Sequence, residues 1–227
     1  MAFGKKTTDK VVIPAIKMEV ARIPVNGIDG PLVVHNWSAK AIGEMLSKQM
    51  HLQLAMKEAK DPEEHYRGSL YLATNGKYGF PAVAFKSAMV RASKGISGLT
   101  MTDAKQMFFI VPDITEEREF SLPMKDKDGK TVVIKHKIRT DLVQIFGNPE
   151  MRMDMVRLSG GGAADVRFRG QFIKWKAVLA IRYLPAKITK DMIANLVNVA
   201  GQTVGIGEGR AESGSDMGWG RFEISGT

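Results

Sequence analysis

Two strand–helix–strand patterns, one near each end of the chain, flank a long alternating hairpin, and together they predict an α+β fold. The expected core is ferredoxin-like (RRM-like, a split β-α-β arrangement) with an inserted β-hairpin and loops. A third observation supports a packed interior. Apolar residues make up 44% of the 227 residues, more than a disordered chain carries. No fixed-period repeat or linker divides the sequence. Residues 1–227 are expected to form one domain, with the hairpin insertion at about 113–165.

The elements follow in order. Residues 1–10 are polar and read as a frayed arm. Residues 11–20 (VVIPAIKMEV) read as a strand, with Pro14 marking an edge or bulge. Gly27, Gly30 and Pro31 mark a turn, and residues 32–34 form a short apolar piece ending at His35. Ser38 suits the N-cap of a helix running to about Lys60, in which Ile42, Met45, Leu46 and Gln49 recur at helical spacing. Asp61-Pro62 stops that pattern, and residues 66–74 have a strand-like centre. Residues 79–95 (GFPAVAFKSAMVRASKG) predict a helix with Pro81 in its first turn. Phe85, Ala88, Met89 and Ala92 make its apolar face.

Residues 107–111 (MFFIV) predict a short buried strand, and residues 120–139 a hairpin turning at Asp128-Gly129. Gly147-Asn148-Pro149 marks a turn and residues 159–164 (SGGGAA) a flexible loop. Residues 169–184 predict one long strand, with Ile173, Trp175, Ala177, Leu179, Ile181 and Tyr183 on its apolar face. Thr189 caps a helix to about Ala200, with Ile193, Leu196, Val197 and Ala200 inward. A glycine-rich segment and a strand at 219–224 close the chain.

Composition narrows the chemistry. There is no Cys, and no stretch approaches the ~18 apolar residues a membrane span needs, so a soluble cytoplasmic protein is expected. His35, His51, His65 and His136 lack metal-ligand spacing. The glycine segment ends in no Gly-Lys-Ser/Thr and lacks G-x-G-x-x-G spacing, and no serine sits in a nucleophile elbow. No metal and no cofactor are expected. The acids Glu116, Glu117 and Glu119 read as solvated loop charge. His35, beside Asn36, Trp37 and Ser38, is the one candidate catalytic residue, as a general acid–base group acting on RNA. Its plainer reading is a strand-end His packed beside Trp37.

The net charge is +9 and the pI about 9.7. Residues 135–190 hold 12 Lys/Arg against 4 Asp/Glu, while residues 191–227 hold 2 against 5. A segment-specific excess of this kind points to a polyanion, nucleic acid first. Three basic sets stand out: Lys135, Lys137 and Arg139 on one arm of the hairpin; Arg167-Phe168-Arg169; and Lys174 and Lys176 on a strand face shared with Phe172. Cations that follow phosphates, with rings on which bases stack, suit a single strand. The glycines Gly205, Gly207 and Gly209 would let backbone N–H groups approach a phosphodiester, with Arg210 beside them.

These features resemble the RAMP superfamily, the RNA-binding proteins of CRISPR effector complexes, and most nearly their backbone filament subunits. GFPAVAFKSAMVRAS is similar to the family's Pro-x-x-x-x-Lys-x-x-x-Arg helix start, with Pro81, Lys86 and Arg91 roughly in place. GIGEGRAESGSDMGWGRFEI is similar to its glycine-rich loop before the last strand. A divergent or phage-encoded relative fits the pattern equally well. The resemblance implies a RAMP-like domain and a non-catalytic protein that oligomerises along single-stranded nucleic acid, RNA rather than DNA. Lys86 and Arg91 would contact phosphate, and the hairpin would act as a thumb. A homo-oligomer or a subunit of a ribonucleoprotein complex is expected, with no membrane partner. Two alternatives stand beside it: a metal-independent endoribonuclease using His35, and a structural subunit of a large assembly such as a phage particle.

Overall fold

A computed structural model describes residues 15–37, 39–54, 60–157, 164–212 and 217–226. In chain order the elements are β1 (Glu19–Ile28), β2 (Leu32–Val34), α1 (Ala39–Met50), β3 (Gln53–Leu54), α2 (Pro62–Ser69), β4 (Gly79–Pro81) and α3 (Ala82–Ala92). Then come α4 (Met101–Met107), β5 (Phe108–Val111), β6 (Ile114–Lys125), β7 (Thr131–Gln144), β8 (Pro149–Arg157) and β9 (Ala164–Phe172). The chain ends with β10 (Lys176–Tyr183), α5 (Lys190–Thr203) and β11 (Arg221–Ile224).

The central sheet has the order β11-β1-β10-β5, and every neighbouring pair is antiparallel. Helix α3 lies in sequence between β1 and β5, and α5 between β10 and β11. Each helix thus joins two parallel strands with one strand between them, which is the split β-α-β topology predicted. One face of the sheet carries Ala21, Ile23, Val25, Ala177, Leu179, Ile181 and Phe222. It packs in one core with Phe85 and Met89 of α3 and Ile193, Leu196 and Val197 of α5. Trp175–Phe222 and Phe85–Phe222 ring pairs, 6.1 and 6.0 Å apart, knit that core.

Two further sheets flank it: β2-β9-β8, and β3-β6-β7-β4, whose long members are the hairpin. Residues 113–165 hold β6, β7, β8 and the start of β9.

Several boundaries differ from expectation. The first strand is Glu19–Ile28, beyond the 11–20 run, whose first four residues lie outside those described. Pro24 was not expected inside a central strand. Its carbonyl accepts from Ser225 N at 2.9 Å, just past the end of β11. In a strand a residue's nitrogen and carbonyl point to the same side, so the missing N–H faces a place where the ladder has already stopped.

Helix α1 ends at Met50, because His51 adopts φ +54 and Leu52 N turns back to Ser47 O. The Ser38 cap lies outside the described residues. Residues 66–74 are not a strand. Asp61 accepts from Glu63 N and Glu64 N, and Pro62 occupies the first turn, so Asp-Pro starts helix α2 where it was read as a stop. A short helix that the sequence reading lacked, α4, is capped by Thr100.

The long strand expected at 169–184 is two strands in two sheets, β9 and β10. The chain turns a corner at 173–175, leaving Ile173 54% exposed. Trp175 is buried over Gly27, where a Cβ would lie 2.2 Å from the indole nitrogen. The 159–164 loop falls mostly outside the described residues. The helices at Pro81 and Thr189, the strand expected at 107–111, the Asp128-Gly129 turn and the last strand stand as expected within about three residues.

Candidate nucleic-acid interface

The face of the central sheet away from α3 and α5 is built from rows set by register. Val20, Arg182 and Phe109 form one row across β1, β10 and β5, and Arg22, Ala180 and Val111 the next. Asn26 and Lys176 stand opposite each other further along. Arg22, Lys176 and Arg182 are exposed. Phe109 is 43% exposed, and the Lys86 ammonium reaches round the sheet edge to lie 4.2 Å from its ring centroid. Burial draws the Lys86 pKa down. Among the described residues no carboxylate lies within ion-pair distance of Arg22, Lys86, Lys176 or Arg182.

The hairpin differs in its electrostatics. Lys135, Lys137 and Arg139 do share one face, since they alternate along β7. Their partners in register on β6 are Ser121, Glu119 and Glu117. Lys137 pairs with Glu119 at 2.7 Å and Arg139 with Asp141 at 3.6 Å. The acids read as loop charge are therefore strand residues, and one of them, Glu119, neutralises a hairpin cation. Lys135 alone of the three has no ion pair among the described residues.

Strand β9 separates the set Arg167-Phe168-Arg169. Alternation puts Arg167 and Arg169 on one face and Phe168 on the other, opposite Met153 of β8. Arg169 is 5% exposed and bonds Asp154 at 2.6 Å and Glu208 at 3.3 Å. Arg167 lies 3.8 Å from Asp165. Phe172 is buried against Tyr78 and cannot stack on a base as placed. Lys174 is exposed at the corner between β9 and β10, away from the strand face it was expected to share with Lys176.

The glycine loop is folded against the chain itself. Gly205 N donates to Ala200 O, Ile206 N to Gly220 O, Glu208 N to Val33 O, Trp219 N to Gly209 O and Gly220 N to Pro31 O. Gly207 has φ +82, and a Cβ there would lie 2.6 Å from Val33 O, so close packing on β2 requires its glycine. A Cβ on Gly209 would meet the Trp219 ring at 2.4 Å. The N–H of Gly205, expected to face phosphate, is bonded inside the chain. Arg210 donates to Gly207 O at 3.2 Å. Arg91 pairs with Glu212, and the Arg152 guanidinium stacks over Trp219 at 4.2 Å. Three cations from α3, β8 and β9 thus hold the loop, and two of its acids are neutralised within the chain. Gly214 and Asp216 lie outside the described residues.

His35 is solvent-accessible at the end of β2, and its carbonyl accepts from Tyr71 Oη at 3.4 Å. Desolvation lowers its pKa, the Glu208 carboxylate works against that, and Arg167 and Arg169 add to the lowering. Among the described residues no group of three His, Cys, Asp or Glu could hold a metal ion. No helix among them is long and apolar enough to cross a membrane.

The sequence reading missed Arg22 and Phe109 and left Arg182 out of the site. Their signal was the parity of the strands, which becomes readable only once β1, β10 and β5 are aligned.

No protein-family model matches the chain, and no curated protein matches it. Among solved structures it is similar to Cmr6 from Pyrococcus furiosus, at 12% identity over 92% of this chain and 100% of that one, with a TM-score of 0.39. That likeness is distant. The ferredoxin-like assignment rests on the strand order of the central sheet.

Proposed function

We propose that the protein binds single-stranded nucleic acid on the open face of its central sheet. One observation carries the reading: Arg22, Lys176, Arg182 and Lys86 have no carboxylate partner among the described residues, and an exposed ring, Phe109, stands among them. Elsewhere on the molecule most cations of the sequence-predicted sets are held by acids. Unpaired guanidinium and ammonium groups suit phosphates, and an exposed ring suits a base. The RAMP resemblance belongs to the same proposal: a non-catalytic protein, RNA as the ligand, and several copies along one strand.

The test is binding of a labelled single-stranded RNA across a salt series. Affinity should fall steeply between about 50 and about 200 mM salt, because each phosphate contact releases counterions. A flat response removes the proposal. Cleavage that disappears in His35→Ala would favour the nuclease alternative. A defined, nucleic-acid-free oligomer with no affinity for added strands would favour the assembly subunit.

A further inference from the structure

A cleft of about 660 Å³ opens between α1, the segment after β2 and the root of the hairpin. It adjoins the edge of the sheet-face site, since Pro81 and Thr140 line both this cleft and the hollow that holds Lys86 and Phe109. Its walls are Trp37, Ile42 and Met45 on one side and Tyr71, Phe120 and Ile138 on the other, and its size is that of a small-molecule site. Trp37 is 61% exposed, so its ring is available to a ligand.

Four polar residues line the same space. Asn36 is fixed by N–H to Ser69 O at 2.8 Å and by Nδ2 to Leu70 O at 3.3 Å. Its Oδ1 has no protein partner among the described residues. Arg118 has no ion pair among the described residues, whereas Glu119 at the margin is held by Lys137. Thr140 adds a hydroxyl. Tyr71 is positioned by its bond to His35 O and by edge-on packing with Phe80 at 5.6 Å.

An exposed indole, an orphan amide acceptor and one unpaired guanidinium select for a flat, hydrogen-bonding heterocycle with a single anionic group. An acyl chain would leave Arg118 and Asn36 unused, and an acidic peptide would not need the Trp37 ring. We propose that this cleft binds one nucleotide unit, its base against Trp37, its edge at Asn36 and Thr140, and its phosphate at Arg118. In a bound strand this is a base turned away from the sheet, a role that rests on the proposed function.

The probe is adenosine 5′-monophosphate, titrated calorimetrically and by tryptophan fluorescence against the full chain. Saturable binding with fluorescence quenching is expected. Trp37→Ala abolishes the quenching and weakens binding about tenfold or more, from lost stacking. Arg118→Ala weakens it to the level that wild type shows for adenosine, which lacks the phosphate. Both side chains are exposed, so unchanged thermal melts check that the variants fold. Absence of saturable binding, or equal binding by both variants and wild type, overturns the proposal. A strand-binding assay run in parallel separates the two readings. Nucleotide binding without strand affinity removes the sheet-face function and leaves the cleft. Strand affinity without a nucleotide response removes the cleft alone.

Discussion

Arg169 of β9 and Glu208 of the glycine loop meet at 3.3 Å, and the same guanidinium bonds Asp154 of β8 at 2.6 Å. A residue whose cation suggested a ligand contact instead joins the second sheet to the loop that precedes the last strand. Its own Nε is buried with no partner among the described residues, an unmet donor that offsets part of what the two pairs contribute.

Removing that cation should cost much more than removing an exposed one. Arg169→Ala leaves Asp154 with Arg152 alone, at 2.7 Å, and frees Glu208, so a loss of about 2–3 kcal/mol in urea unfolding is expected. Arg67→Ala, on an exposed pair with Glu63, should cost less than about 1 kcal/mol. Equal effects for the two would show that the Arg169 pair does not hold the loop.

Two glycines of the loop predict opposite tolerances. Gly220 has φ +66, and a Cβ there would lie 1.7 Å from Ile206 O, a backbone atom. Gly218 has φ +68, with nothing within 4 Å of the added atom. Gly218→Ala should cost about 1–2 kcal/mol, from the left-handed backbone alone. Gly220→Ala adds a steric clash and should cost about 3 kcal/mol or more. Thermal melts of both variants decide it.

The nucleic-acid reading makes a ranking. Arg22→Ala and Arg182→Ala should each weaken single-strand binding and lower the salt slope by about one. Lys137→Ala should do so less, because Glu119 already neutralises Lys137. A hairpin variant that outweighs both sheet variants would move the interface to the hairpin.

Tyr71 provides a pH test. Burial, with a smaller contribution from the Glu208 charge, pushes its phenol up to about 12 from an ordinary value of 10.0. The folded state therefore keeps the proton that the unfolded state loses first. The stabilisation is complete below pH 10 and disappears as pH rises towards 12. Two pKa units correspond to about 2–3 kcal/mol. Tyr71→Phe should remove that alkaline loss, so its stability relative to wild type should shift in the variant's favour by about 2–3 kcal/mol between pH 10 and pH 12. Parallel stability curves across this range would contradict the assignment.

The local signals were sufficient for α3 and α5. Pro81 and Thr189 open them, and the spacings of Phe85, Ala88, Met89 and Ala92, and of Ile193, Leu196, Val197 and Ala200, fix their buried faces. The hairpin turn at Asp128-Gly129 and the short 108–111 strand were equally legible, because turn chemistry and apolar runs act over a few residues. Helix α2 was misread because Asp61-Pro62 has the composition of both a stop and a start, and only the bonds from Glu63 N and Glu64 N distinguish them.

The sequence by itself determined the α+β class, the two helices that cross the sheet and the positive balance of residues 135–190. Tertiary structure alone decided which cations remain available. Charge along a chain is a count, but a pairing depends on which strand lies alongside. Register set Glu119 beside Lys137, folding carried Glu208 to Arg169 and Glu212 to Arg91, and the sheet left Arg22, Lys176 and Arg182 without an ion pair among the described residues. The glycines follow the same rule. Their spacing marked a loop in which side chains are excluded, and only the packed chain shows that Val33, Ile206 and Trp219 exclude them.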